Sequence, residues 1–334
     1  MRVICHEQVQ AAPLSGRNCH ASQCLPLQDG GIFAVWFEGT REGADDVCIW
    51  GAKRANGIWQ PKRRLTEDDH LPHWNPVLFQ KDKDTIQLYY KKGKPIAQWY
   101  TLVQESTDLC ETFSPARELV PGNIGGRGPV RNKSLRLSNG ALAAPASDET
   151  FVWKAFADLS SNGDTWHTSR WVTIFHEGDE PTRWIDKKLD KSRLRRNRGV
   201  IQPAFWESES GCVHALLRSS EGRIYRMDSA DFGETWCRPY RTRLPNNNSG
   251  IDMDRLADGR LALVYNPVGR NWGPRSPLSL ALSGDNGATW TRALDLETEK
   301  GGEFSYPCIH AVGNRLHITY TYNRVNISYW EIDV

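Results

Sequence analysis

Ser229-Ala230-Asp231-Phe232-Gly233-Glu234-Thr235-Trp236 and Ser283-Gly284-Asp285-Asn286-Gly287-Ala288-Thr289-Trp290 are two copies of one pattern, S-x-D-x-G-x-T-W, set 54 residues apart. The pattern has a local chemistry. Asp and Gly build a tight turn, the Ser and Thr hydroxyls bond its backbone, and the Trp is a large apolar plug between neighbouring sheets. Degenerate copies stand at Ser106-Thr107-Asp108-Leu109-Cys110-Glu111-Thr112-Phe113 and Ser161-Asn162-Gly163-Asp164-Thr165-Trp166, with a remnant at Asn56-Gly57-Ile58-Trp59. The closing aromatics fall at 59, 113, 166, 236 and 290, spaced by 54, 53, 70 and 54 residues.

A second series runs in phase with the first. Short apolar or alternating runs follow a turn residue at Gly31, Thr85, Gly140, Gly211, Gly259 and Gly313, spaced by 54, 55, 71, 48 and 54. Runs this short, rich in β-branched and aromatic residues and bounded by Gly, Asn and Asp, read as strands. Six phased copies of about 50 residues, none able to bury both faces alone, predict an all-β chain. The expected architecture is a six-bladed β-propeller with four-stranded antiparallel blades, one domain over 1–334. The tail at 327–332 is expected to close it against N-terminal residues. Both series lengthen together once, which marks a single insertion of about 16 residues, at about 183–198. That stretch carries eight basic and two acidic residues, net +6, and reads as a solvated surface loop or an electrostatic guide for an anionic ligand.

The 334 residues are 39% hydrophobic and 25% charged, which excludes disorder as the main state. Forty-two Lys and Arg against 40 Asp and Glu give no basic excess of the kind a nucleic-acid binder shows. No apolar run reaches the roughly 18 residues of a membrane span, and the first residues show no signal-peptide core, so a cytoplasmic location is expected. The eight cysteines make no CxxC pair and read as reduced thiols. Cys19, His20 and Cys24 lack a second pair to complete a metal site, so neither metal nor cofactor is expected.

Seven to eleven residues before each apolar run stands a polar residue that starts another strand: His20, Asn75, Asn132, Gln202, the stretch 248–252 and Tyr306. Six units would aim these groups at one axis, and convergent polar groups in a concave mouth are the default binding site. Arg131 beside Asn132, Asn248 and Asp252 within 248–252, and Trp74 beside Asn75 belong to the same candidate set. A tryptophan there suits stacking on a sugar ring.

The S-x-D-x-G-x-T-W copies resemble the Asp-boxes of the sialidase (neuraminidase) superfamily, whose fold is a six-bladed propeller. Gly199-Val200-Ile201-Gln202-Pro203, the stretch 245–252 and Glu303-Phe304-Ser305-Tyr306-Pro307 look like the intracellular branch labelled predicted neuraminidase. The resemblance implies a clamp of arginines on a substrate carboxylate, a Tyr–Glu pair and an Asp acid. It places Arg218 and Arg275 in the clamp and Tyr306 at the nucleophile, with Asp45 or Asp46 near the acid. Guanidinium suits the clamp, because its planar fork bonds a carboxylate bidentately and stays charged.

Two positions depart from the family pattern. His20-Ala21-Ser22 stands where the family has Arg-Ile-Pro, and Gln202-Pro203 stands where it has Glu-Pro. A neutral amide cannot take a proton from tyrosine, whereas histidine titrates near neutrality, so His20 is read as a proton-transfer group. The expected function is an exo-glycosidase that removes a terminal acidic sugar, sialic acid or a related carboxylated sugar, from an oligosaccharide or glycoconjugate. Two alternatives stay open: a uronate-directed glycosidase or lyase using His20 and Tyr306, and a non-catalytic glycan-binding propeller. Neither nucleic acid nor membrane is an expected partner.

Overall fold

Each of the six apolar runs forms the second strand of an antiparallel meander. The computed structural model describes residues 1–150, 152–174 and 198–334. The basic insertion lies outside the described residues except for Arg198 at its end. The first meander is Asn18–Pro26, Ile32–Gly39 and Cys48–Ala55, with the short strands Ile58–Trp59 and Arg63–Arg64 both paired to Cys48–Ala55. The second is His73–Gln80, Ile86–Lys92, Tyr100–Ser106 and Arg117–Glu118. The third is Leu135–Arg136, Leu142–Asp148, Val152–Ser160 and His167–Thr168. The fourth is Arg198–Glu209, Cys212–Ser219, Arg223–Ser229 and Tyr240–Pro245, joined to the third by a parallel contact of Val152 with Arg198 and Trp153 with Gly199. The fifth is Asp252–Arg255, Leu261–Tyr265, Leu278–Ser283 and Thr291–Glu297.

The sixth meander, Phe304–Val312, Arg315–Tyr322 and Asn326–Asp333, takes its fourth strand from the other end of the chain. Arg2–Gln8 runs antiparallel to Asn326–Asp333. The expected pairing of the tail with the N-terminal residues is therefore present, and it removes an unpaired strand edge. The only helical element among the described residues is the 3-10 turn Ile96–Gln98, and none of their helices is long and apolar enough to cross a membrane.

Strands alternate their side chains between two faces, so each sheet offers apolar residues to both neighbours. Phe33 and Val35 of the first sheet pack with Leu78 and Leu88 of the second. Val77 and Tyr89 of the second meet Leu142 of the third, and Ala155 and Leu159 of the third meet Val213 and Ala215 of the fourth. Trp206 and Leu216 pack against Leu261 and Leu263, and Val264 and Leu280 against Ile309 and Ile318. Tyr329 and Cys308 of the sixth sheet then pack against Trp36 and Ala34 of the first. The apolar core is thus a series of inter-sheet layers in which the last sheet returns to the first.

The S-x-D-x-G-x-T-W turns close as their chemistry requires. The Ser229 hydroxyl donates to Asp231 at 2.7 Å and accepts from the Gly233 amide at 2.9 Å, while Asp231 accepts from the Thr235 amide at 2.9 Å and hydroxyl at 2.5 Å. Ser283, Asp285, Gly287 and Thr289 repeat these bonds, and Ser106, Asp108, Cys110 and Thr112 do so without the glycine. The third-sheet copy starts one residue earlier than its sequence suggests. Ser160, not Ser161, accepts from the Gly163 amide at 2.8 Å, because this turn is one residue shorter. Trp236 is 9% exposed and stacks on Phe205.

Candidate functional site

Four first strands carry the same irregularity. Pairing with the second strand shifts register between His20 and Gln23, Trp74 and Val77, Ile201 and Ala204, and Ser305 and Cys308. At the second residue of each bulge the backbone is left-handed: Ala21 at φ 54°, Asn75 at 44°, Gln202 at 53° and Tyr306 at 53°. A non-glycine residue held there costs roughly 1–2 kcal/mol. Pro76, Pro203 and Pro307 follow three of these positions. Proline is tolerated because a bulge interrupts the ladder where its missing N–H would otherwise be felt. Bulges re-aim side chains, and here they bring Gln202 and Tyr306 onto common partners.

Tyr306 is the centre of the constellation. Three guanidinium carbons stand near its ring centroid: Arg131 at 5.2 Å, Arg275 at 5.4 Å and Arg218 at 5.5 Å. Arg218 Nη1 donates to the Tyr306 hydroxyl at 2.6 Å and to Gln202 Oε1 at 3.1 Å, and its Nε donates to Asn248 Oδ1 at 2.9 Å. Asn248 is oriented in turn by donating to Asn271 at 2.8 Å. The His20 ring lies 4.2 Å from the Tyr306 ring. Arg218 and Arg131 are 3% and 1% exposed, and neither makes an ion pair with a carboxylate among the described residues. The negative charge that acts on Arg131 comes from Asp252 and that acting with Arg218 from Glu149, neither in direct contact, so both guanidiniums keep capacity for an anionic ligand.

Arg275 is differently placed. It donates to Glu303 at 2.7 Å and to the Ser305 hydroxyl at 3.1 Å, and Glu303 also accepts from Arg324 Nε at 2.7 Å. Arg324 reaches Glu42 at 2.6 Å. Two guanidiniums therefore share one carboxylate beside Tyr306.

His20 does not have the near-neutral titration expected of it. Burial, then the positive charges of Arg324, Arg275, Arg131 and Arg218, push its imidazole well below the ordinary value. It is a neutral ring at neutral pH, with Nδ1 2.9 Å from the Thr321 hydroxyl and Nε2 without a partner among the described residues.

One functional candidate was not visible in the sequence reading. Glu149, at the end of the second strand of the third meander, accepts from Gln202 Nε2 at 3.0 Å and from the Ser147 hydroxyl at 3.1 Å. Burial pushes its carboxyl above the ordinary value, and Arg218, Gln202, Ser147 and Lys91 only partly oppose this. No motif flags it: Ser147-Asp148-Glu149-Thr150 reads as a polar turn.

The remaining predicted residues lie around or beneath this centre. Asn132 donates to the Gln202 and Pro203 carbonyls at 3.0 and 2.9 Å and accepts from Arg131. Arg131 also donates to the Pro307 carbonyl at 2.6 Å. Asp252 accepts from Lys133 and from the Ile309 amide, each at 3.0 Å and both through Oδ2, while its Oδ1 is buried without a partner among the described residues. Asn75 is buried at its bulge. Trp74 is only 8% exposed, its indole N–H donates to the Gly93 carbonyl at 2.9 Å, and the loop at 40–47 rests on it at Gly43. Little of its ring is therefore open to a ligand. On the loop, Asp46 accepts from the Thr40 amide and hydroxyl and from Arg17. Burial raises the Asp46 carboxyl, but these donors outweigh it and hold the group below its ordinary range. Asp45, half exposed, pairs with Lys94 at 2.8 Å.

The BNR repeat-like domain family matches residues 30–318, most of the chain. The chain belongs to this family. No curated protein sequence matches it. Among solved structures it is similar to the Hadza microbial sialidase Hz136, with a TM-score of 0.74 and 14% identity over 95% of this chain and 66% of that one. It is similar to a protein of unknown function from Dyadobacter fermentans, with a TM-score of 0.75 and 16% identity over 100% and 99% of the two chains. A Trypanosoma rangeli sialidase in complex with the inhibitor DANA gives a TM-score of 0.71 and 10% identity over 95% of this chain and 55% of that one. These likenesses show a sialidase-like all-β fold in the BNR family. The chain spans just under two thirds and about half of the two sialidases' lengths.

Proposed function

We propose that the six meanders are the blades of a six-bladed propeller and that the Tyr306 centre is the active site of an exo-glycosidase. Its substrate is a glycan ending in a carboxylated sugar, sialic acid or a close relative. One observation carries the reading: Arg131, Arg218 and Arg275 surround the Tyr306 ring at 5.2–5.5 Å, while Arg131 and Arg218 lack a carboxylate partner among the described residues. Preorganised cationic donors in a buried site are suited to an anionic ligand. The left-handed backbone at Tyr306 and Gln202 supports it, since such strain clusters at functional sites. The sixth sheet packing on the first supports the closed ring.

In this reading Arg218 and Arg275 hold the substrate carboxylate. The Tyr306 oxygen attacks the anomeric carbon as its proton passes to a solvent water, and Arg218, already donating to that oxygen, stabilises the negative charge that develops there. A water deprotonated by Asp45 then breaks the tyrosyl–sugar bond, and the phenol regains its proton. Asp45, on the loop at 40–47, protonates the leaving oxygen, while Asp46 is committed to holding the loop. His20, kept neutral, packs on Tyr306 and does not carry the proton.

A panel of sialosides, other nonulosonosides and uronosyl oligosaccharides, with products analysed by mass spectrometry, tests this. The expected result is release of a free acidic sugar with gain of one water. An unsaturated uronate product, or binding without any release across the panel, overturns it.

A further inference from the structure

Between Glu149 and Tyr306 runs a continuous chain of hydrogen bonds through three sheets. Glu149 accepts from Gln202 Nε2 at 3.0 Å, Gln202 Oε1 accepts from Arg218 Nη1 at 3.1 Å, and the same Nη1 donates to the Tyr306 hydroxyl at 2.6 Å. The two ends of the Gln202 side chain are therefore not interchangeable. A carboxylate can only accept and a guanidinium can only donate. The amide must turn its NH2 to Glu149 and its oxygen to Arg218. Arg218 itself keeps the amide oxygen turned to it. Glu149 adds a charged acceptor that anchors the NH2 end, and with a weaker acceptor there the Gln202 side chain loosens and Nη1 loses its fixed direction.

We propose that Glu149 is a positioning residue for Tyr306: it orients the Gln202 amide, which holds Arg218 on the phenolic oxygen. The inference rests on Tyr306 being the reacting group of the proposed glycosidase. It also explains the neutral side chain at 202. With Glu149 at 3.0 Å, a second carboxylate at 202 would face a like charge across a hydrogen-bond distance, and the two could not both ionise. The site thus holds one carboxylate and one amide, and their order along the chain matters less than their number. Glu149 also meets the Ser147 hydroxyl and the charges of Arg218 and Lys91, which keep it in place.

A swap tests this. Glu149→Gln leaves two amides, Gln202→Glu leaves two carboxylates, and the double variant restores one of each in reversed order. On a substrate that the panel identifies, each single variant is expected to lower kcat roughly 10–100-fold with little change in KM, the scale of a misdirected reacting group. The double variant is expected to recover most of the loss. A second readout needs no substrate. In protein labelled with 13C at tyrosine Cζ, the Tyr306 resonance, assigned by its loss in Tyr306→Phe, should move in both single variants and return in the double. If the panel yields no turnover but the resonance follows the swap, the glycosidase reading fails and the positioning role stands. If turnover and resonance both ignore Glu149→Gln, or if the double variant is no better than the worse single one, the positioning role is wrong.

Discussion

Arg218 Nη1 donates to the Tyr306 hydroxyl across 2.6 Å, linking the second strand of the fourth sheet to the first strand of the sixth. Arg218 is 3% exposed, and its other side-chain partners are the neutral Gln202 and Asn248. A guanidinium so placed keeps capacity for an anionic ligand. Arg218→Met, which keeps the volume and removes the charge, leaves Gln202 Oε1 and Asn248 Oδ1 without their donor and Glu149 without a nearby cation, so a modest fall in melting temperature is expected alongside the loss of binding. Affinity for a carboxylated sugar should weaken by roughly 2–4 kcal/mol, the range for truncating one partner of a buried charge-assisted contact. Thermal melting and titration calorimetry on the same variant check both halves. A marked fall in stability with binding intact would make Arg218 a structural tie.

His20 is held neutral by burial and by four surrounding arginines. A pH–rate profile should then show no limb that belongs to His20 near its ordinary value. His20→Gln, which keeps a hydrogen-bonding group of similar reach, should give a profile of the same shape as the unaltered protein, scaled down by a modest factor. A limb near neutral pH that disappears in His20→Gln would restore the histidine as a proton carrier.

The sequence's legibility followed the range of the interactions involved. Ser229, Asp231, Gly233, Thr235 and Trp236 bond within a single turn, so the pattern could be read without a structure, and the apolar runs of the second series each became the second strand of a meander. Tyr306, Gln202 and Asn75 are legible because each stands seven to ten residues before an apolar run, so the repeat puts them at the same point of successive sheets. Glu149 was missed because its partner, Gln202, is 53 residues away and on another sheet. Burial was the other hidden quantity. It makes His20, expected as a proton carrier, a neutral ring, and it closes most of the Trp74 ring, expected as a sugar platform, beneath the loop at 40–47. Side-chain charge is written in the sequence, but the environment that tunes it is written in distant contacts.

His73 gives the fold a specific acid sensitivity. It is 2% exposed, its Nδ1 is 2.8 Å from the Thr66 hydroxyl, and burial followed by the charge of Lys92 pushes it from 6.5 down to about 4, against the opposing pull of Asp69 and Asp68. The folded-state value is depressed, so the contribution to stability is present above 6.5 and is lost as pH falls through about 4. The full loss is roughly 3 kcal/mol. Denaturant melts across that window should show His73→Gln losing less stability on acidification than the unaltered protein. Parallel curves would mean that His73 titrates alike in the folded and unfolded chains.

Gly250 controls the space beside the reacting tyrosine. A Cβ there would lie 2.9 Å from Arg131 Nε, 3.3 Å from Arg131 Cδ and 3.3 Å from Tyr306 Cγ. Its backbone is not left-handed, so alanine brings no conformational strain and acts only through these contacts. Arg131 cannot simply withdraw, because it is 1% exposed and tied to the Pro307 carbonyl. The pressure is passed to the Tyr306 ring, which must turn away from Arg218. Gly250→Ala is expected to destabilise by about 1–3 kcal/mol, the usual range for overpacking. It should also lower kcat by roughly 10–100-fold, because the oxygen of Tyr306 is displaced while the carboxylate clamp remains. Gly284→Ala is the control, since nothing lies within 4 Å of its added Cβ. It should match the unaltered protein in both measurements. A Gly250→Ala protein that is as stable and as active as the control would show that Tyr306 is not held by the packing of Arg131 and Gly250, and that its position is set by the Arg218 contact alone.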